Sequence, residues 1–122
     1  MVTGGYGSGS AGTSVELLSL NGTRLCALPD LPEARFQHSQ SGYLTCGGGS
    51  ISSSEVTSCV TFSGGTWEQT HTLGQRRHAH TAWASPQGVL LMGSHFDSAT
   101  TAELLNDAGS STATFNLDNQ RR

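Results

Sequence analysis

The chain has 122 residues, a formal charge of −3, no lysine, and 12% charged residues beside 34% hydrophobic ones. It is one domain's worth of chain at most, and its richness in Gly, Ser and Thr excludes the Ala/Glu/Lys/Leu profile of a helical domain. The low charge also separates it from most disordered chains.

Short strands joined by small-residue turns are expected throughout. Residues 2–5 read as a strand running into a flexible turn over 6–13. Residues 15–20 and 24–28 form two strands around Asn21-Gly22, a two-residue hairpin signal. Asn21-Gly22-Thr23 is also a glycosylation acceptor pattern, and both readings can hold together. Pro29 and Pro32 exclude residues 28–32 from a central ladder and mark a connection. Strands over 35–40, 43–47, 56–62 and 66–68 follow, with turns at 50–54 and Ser63-Gly64-Gly65. The last strands are expected over 78–83, 89–92, 101–105 and 112–117, for about eleven in all.

The pattern repeats. With a shift of 42, Arg35-x-x-His38 falls on Arg77-x-x-His80; with a shift of 46, Leu44-Thr45-Cys46-Gly47-Gly48 falls on Leu90-Leu91-Met92-Gly93-Ser94. Val2-Thr3-Gly4-Gly5 reads as the tail of an earlier copy. A leucine stands four residues before an arginine three times, at Leu31 and Arg35, Leu73 and Arg77, Leu117 and Arg121. Such a period marks stacked supersecondary units. The units are residues 1–34, lacking an opening strand, then 35–76 and 77–122.

Arg-x-x-His, a strand ending in Gly-Gly, a Glu-Leu/Val pair and a Trp ahead of the next Arg together resemble the kelch repeat. The matching positions are Arg35, His38, Gly47, Gly48, Glu55-Val56 and Trp67, then Arg77, His80, Gly93 and Glu103, and in the first unit Gly4, Gly5 and Glu16. Ser94 replaces a glycine, Leu25 and Ser111 stand where Trp67 does, and the units are shorter than the usual kelch length of about 50. The resemblance implies an all-β fold of β-propeller blades, each a four-stranded antiparallel sheet. It implies a partial propeller of about three blades that another chain or a second copy must complete, since propellers close with about four to eight. Two copies closing a six-bladed ring, another propeller chain, and a piece of a longer propeller are the three alternatives.

Function is expected by surface rather than by chemistry, as a protein-interaction or self-assembling structural scaffold. The alternative is extracellular glycan or protein recognition by the loops after the glycine strands, which hold Tyr6, Ile51, His95, Phe96 and Asp97. No catalytic residue, cofactor or metal is expected. His78 and His80, two apart on a strand, share a face, but no third ligand has recognisable spacing; His71 and His95 read as solvated turn residues. Gly7-x-Gly9-x-x-Gly12 precedes a strand rather than a helix, so it offers no helix N-terminus to a phosphate. Copper oxidases on a kelch-type scaffold use tyrosines, histidines and a cross-linked cysteine, for which Tyr6 and Tyr43 offer no evident counterpart. Arg35 and His38, like Arg77 and His80, are read as structural groups bonding to neighbouring backbone.

Arg76-Arg77 and Arg121-Arg122 are the only basic pairs, so nucleic acid is not an expected partner. No apolar run reaches the about 18 residues of a membrane span, and residues 1–5 lack the character of a signal peptide. Cys46 and Cys59 lie on candidate neighbouring strands within disulfide range, or else they are small buried hydrophobes like Cys26. An oxidised pair would mean an extracellular setting.

Overall fold

The computed structural model describes residues 1–50, 56–95 and 100–107 with their side chains, and the backbone of 111–116. In chain order the strands are β1 (Val2–Thr3), β2 (Tyr6–Gly7), β3 (Ser10–Ala11), β4 (Val15–Leu18), β5 (Arg24–Leu28), β6 (Ser39–Ser41) and β7 (Leu44–Cys46). They continue as β8 (Ser58–Ser63), β9 (Thr66–Thr72), β10 (Thr81–Ser85), β11 (Gly88–Met92), β12 (Thr101–Leu105) and β13 (Ser111–Asn116). The protein is all-β among the described residues, and every strand pairing is antiparallel.

Three sheets follow one another along the chain: β1-β4-β5, then β6-β7-β8-β9, then β10-β11-β12-β13. The hairpins β4–β5, β6–β7, β8–β9 and β10–β11 join consecutive strands through connections of two to five residues, so turn chemistry fixes their register, while β1 pairs with β4 across the small β2–β3 ribbon. The β8–β9 connection is Gly64-Gly65 with both φ positive, 59° and 89°, the conformation a two-residue turn needs to match the strand twist. Pro86-Gln87 joins β10 to β11.

Several boundaries differ from the sequence reading. Residues 6–13 are not an open turn, because β2 and β3 pair with each other. The turn at Asn21 spans 19–23 rather than two residues; Ser19 N donates to Thr23 O at 2.9 Å, and a register shift between Leu17 and Leu18 absorbs the extra length. Arg35 and Phe36 lie before β6 and make only isolated bridges, to Gly12 and Gly49. The reason is Gln37, whose φ of 53° breaks the extended backbone. Ala79, with φ 51°, does the same in the next unit, so β10 begins at Thr81 instead of His78. β9 runs on to Thr72, past the expected end at Glu68.

The core sits between sheets. Val15 of the first sheet and Leu31 of the connection pack with Val60 of the second. Cys46, Cys59 and Leu73 pack with Leu91 and Leu105 of the third. Cys59 and Val60 are consecutive in β8, and they serve opposite interfaces because strand side chains alternate. The second sheet is therefore buried on both faces, which no sheet with a solvated face could match with Cys59 at 0% and Val60 at 3% exposure. Cys46 and Cys59 are direct cross-strand partners and form a disulfide; Cys26 is a free, exposed cysteine.

Candidate functional site

The glycine that ends the second strand of each unit is held the same way in all three units. Gly4 N donates to Ser14 O at 2.9 Å, Gly47 N to Ser58 O at 3.1 Å, and Gly93 N to Thr101 O at 3.1 Å. Ser14, Ser58 and Thr101 are thus equivalent positions.

In the second unit Arg35, 1% exposed, brings its guanidinium onto this junction. Nη1 donates to Gly47 O at 3.1 Å and Ser58 O at 2.6 Å, and Nη2 donates to Ser58 Oγ at 2.5 Å. Arg77 in the third unit repeats the arrangement with Gly93 O, Thr101 O and Thr101 Oγ1 at 3.0, 2.9 and 2.7 Å. A planar, multi-donor guanidinium suits three acceptors fanned across one strand end.

The backbone of each arginine binds the preceding sheet. Gly5 N donates to Arg35 O, and Gly48 N to Arg77 O, both at 2.8 Å. Each arginine is a staple between two sheets: its carbonyl grips the glycines of one and its side chain those of the next. Close approach demands the glycines. A Cβ on Gly47 would lie 2.6 Å from Arg77 O and 2.9 Å from the His80 ring, and a Cβ on Gly4 would meet Arg35 O and His38 at 2.6 and 3.0 Å.

The histidines complete the seam. Thr3 Oγ1 donates to Gln40 Oε1 at 3.1 Å, so it accepts from His38 Nε2 at 2.8 Å, and the His38 proton sits on Nε2. His80 Nε2 meets Ser39 Oγ at 2.7 Å. Burial, then the Arg77 charge and the neighbouring His38 and His78, lower the His80 pKa to about 4. Burial and Arg35 likewise lower that of His38, against the His38 hydrogen bond to the Thr3 backbone, which raises it. Both are therefore neutral at pH 7. His78 and His80 both lie before β10, where Ala79 with its φ of 51° interrupts the extended backbone; the His78 ring stacks edge-on with His95 at 5.6 Å.

The two staples differ at one position. Opposite Val2, Thr45 and Leu91 stand Glu16, Val60 and Glu103 respectively. The register thus puts Val60 where the repeat comparison had placed Glu55, which lies outside the described residues. Glu103, fully buried, accepts from Arg77 Nε at 3.0 Å and from the amides of Gly74 and Gln75 at 2.8 and 3.2 Å. Val60 gives Arg35 no such acceptor, and Arg35 Nε is buried without a partner. Glu33 stands 3.9 Å from Nη2 instead. Burial lowers the Arg35 pKa, partly offset by Glu33.

Of the other sequence candidates, Trp67 donates from Nε1 to Pro29 O at 2.8 Å, tying β9 to the preceding connection. Tyr6 and His95 are exposed, and Tyr6 packs against Phe36 at 5.3 Å; Ile51, Phe96 and Asp97 lie outside the described residues, as do Leu117 and Arg121. Asn21 is exposed at its turn, where its Oδ1 accepts from Thr23 N at 3.1 Å. His71 is not a solvated turn residue: it lies in β9, half-buried, and donates from Nε2 to Asn106 O at 2.7 Å. Among the described residues no three His, Cys, Asp or Glu side chains converge as a metal site, and no helix is long and apolar enough to cross a membrane.

Sequence reasoning found the arginines and glycines through their recurrence. It missed Ser14, Ser58 and Thr101, whose signal is a hydroxyl residue ten or eleven positions after the first glycine in two units, at Ser14 and Ser58, and eight after Gly93. No protein-family model matches the chain, and no curated protein matches it significantly.

Proposed function

We propose that this chain is a non-catalytic scaffold of kelch-repeat kind, whose sheets are propeller blades and whose open edge is completed by self-assembly. The recurring arginine staple supports the repeat reading, because each unit is stitched to the next through equivalent atoms. The observation that carries the assembly reading is the first sheet. Val2 in β1 is 53% exposed, while Thr45 and Leu91, at the same position of their sheets, are 0% exposed. Both of those are covered by an opening strand, β6 or β10. Among the described residues β1 has no such neighbour, and an uncovered strand edge with an apolar residue is a template for pairing. A copy of the chain completing a closed ring is the partner that repeat symmetry favours.

The Cys46–Cys59 disulfide is compatible with an oxidising, extracellular setting. In that setting the exposed Tyr6, at 64%, supports the second reading, recognition of glycan or protein by the loops after the glycine strands.

The deciding experiment is the solution mass by light scattering on a sizing column without reductant. A discrete oligomer is expected, with two copies as the six-bladed case. A concentration-independent monomer at 12.7 kDa would overturn the assembly reading.

A further inference from the structure

The first sheet carries the acceptors of the arginine staple without an arginine. Gly4 and Ser14 hold the same backbone bond as Gly47 with Ser58 and Gly93 with Thr101. Ser14 is exposed, whereas Ser58 is half-buried and Thr101 buried beneath their guanidinium groups. The first sheet also has the acid that the second lacks. Glu16 occupies the register position of Glu103, which in the third sheet takes the Nε–H of Arg77. Glu16 now meets Arg24 at 3.2 Å with both side chains largely in solvent. Such an exposed pair contributes little and yields readily to a better partner.

We propose that Gly4 O, Ser14 O, Ser14 Oγ and the Glu16 carboxylate form a receptor for a guanidinium, filled by Arg121 of a second copy of this chain. Arg121 stands four residues after Leu117, as Arg35 and Arg77 stand after Leu31 and Leu73. In the two described cases that leucine is buried in the preceding sheet's interface, at 3% and 4% exposure, and delivers the arginine to the next. The receptor is anionic and accepting throughout, so it selects a forked cation over lysine or a neutral side chain. This deepens the assembly reading above by naming the atoms at the joint.

The test uses a fluorescein-labelled peptide of residues 31–43, which carries Arg35 and the strand that follows it, titrated into the purified chain. Saturable binding to a monomer, or dissociation of an oligomer by the peptide, is expected. Replacing the peptide's arginine with lysine should weaken the effect at least about tenfold. Ser14→Ala and Glu16→Gln in the protein should each weaken it several-fold, with an unchanged circular dichroism spectrum and unfolding midpoint. Equal action of the arginine and lysine peptides, or no action on a monomer, would overturn the receptor. In the assembly itself, Arg121→Ala should lower the association constant at least about tenfold, and indifference to that change would overturn the second copy as occupant. A monomeric wild type that binds the peptide would end the assembly reading while leaving the guanidinium receptor standing.

Discussion

Glu103→Val converts the third staple into the form the second already has, with an aliphatic side chain beside the guanidinium. Glu103 and Arg77 are both 0% exposed in their side chains and 3.0 Å apart. Removing one partner from such a pair leaves an uncompensated buried charge and costs about 3–5 kcal/mol. The amides of Gly74 and Gln75 also lose their acceptor, but Gly74 is exposed and Gln75 half-buried, so water replaces it there at little further cost. The assay is urea unfolding followed by fluorescence of Trp67 and Trp83 at fixed protein concentration, with the disulfide intact. The midpoint should fall while the slope against denaturant stays constant. The second staple also suggests a rescue. Glu33 precedes Arg35 by two residues, and Gln75 holds that place before Arg77. Gln75→Glu in the Glu103→Val background should recover about 1 kcal/mol, the scale of a partly screened pair. A loss below about 1 kcal/mol for Glu103→Val would refute the reasoning, because the carboxylate would then contribute no more than an exposed charge.

Gly47→Ala should destabilise by more than about 2 kcal/mol, since its φ is 61° and the new Cβ would strike Arg77 O. Gly42→Ala, at φ 59° with open space around it, should cost only the roughly 1 kcal/mol of the backbone conformation; equal losses in urea unfolding would sink the close-approach argument. Reduction of Cys46–Cys59, which closes a loop with a sequence separation of 13, should lower stability by about 3 kcal/mol, read from the urea midpoint with and without reductant. His80 should make the protein acid-sensitive. Its folded pKa, about 4, lies below the usual 6.5, so the unfolded chain binds the proton first. Stability is unaffected by it above about pH 6.5 and falls as pH drops toward 4, by at most about 3 kcal/mol. His80→Gln should flatten that part of the profile, and an unchanged slope between pH 6.5 and 4 would show that His80 is not the group responsible.

The all-β class was legible in the sequence because turn residues and β-branched runs act locally, within the few residues of a hairpin. The Gly64-Gly65 turn and strands such as 24–28 and 89–92 needed no distant partner to be placed, whereas Thr101-Ala102-Glu103-Leu104-Leu105 would pass for helix in isolation. The recurrence of Arg-x-x-His and of the glycine pairs was legible too, since equivalent seams demand equivalent residues. Other features depended on what lies across the chain. Glu103 pairs with Arg77 from 26 residues away, while Val60 leaves Arg35 Nε alone; only the strand register reveals that these two occupy one position. His71 looked like a surface residue until β9 extended to meet Asn106 O. Gln37 and Ala79 ended their strands through a left-handed backbone that neither residue type announces. The sequence by itself thus determined that similar hairpin units recur, through local propensity and repeated chemistry. The tertiary structure alone decided which acceptors each arginine reaches and which edge has none, because burial and register arise only when one sheet packs on the next.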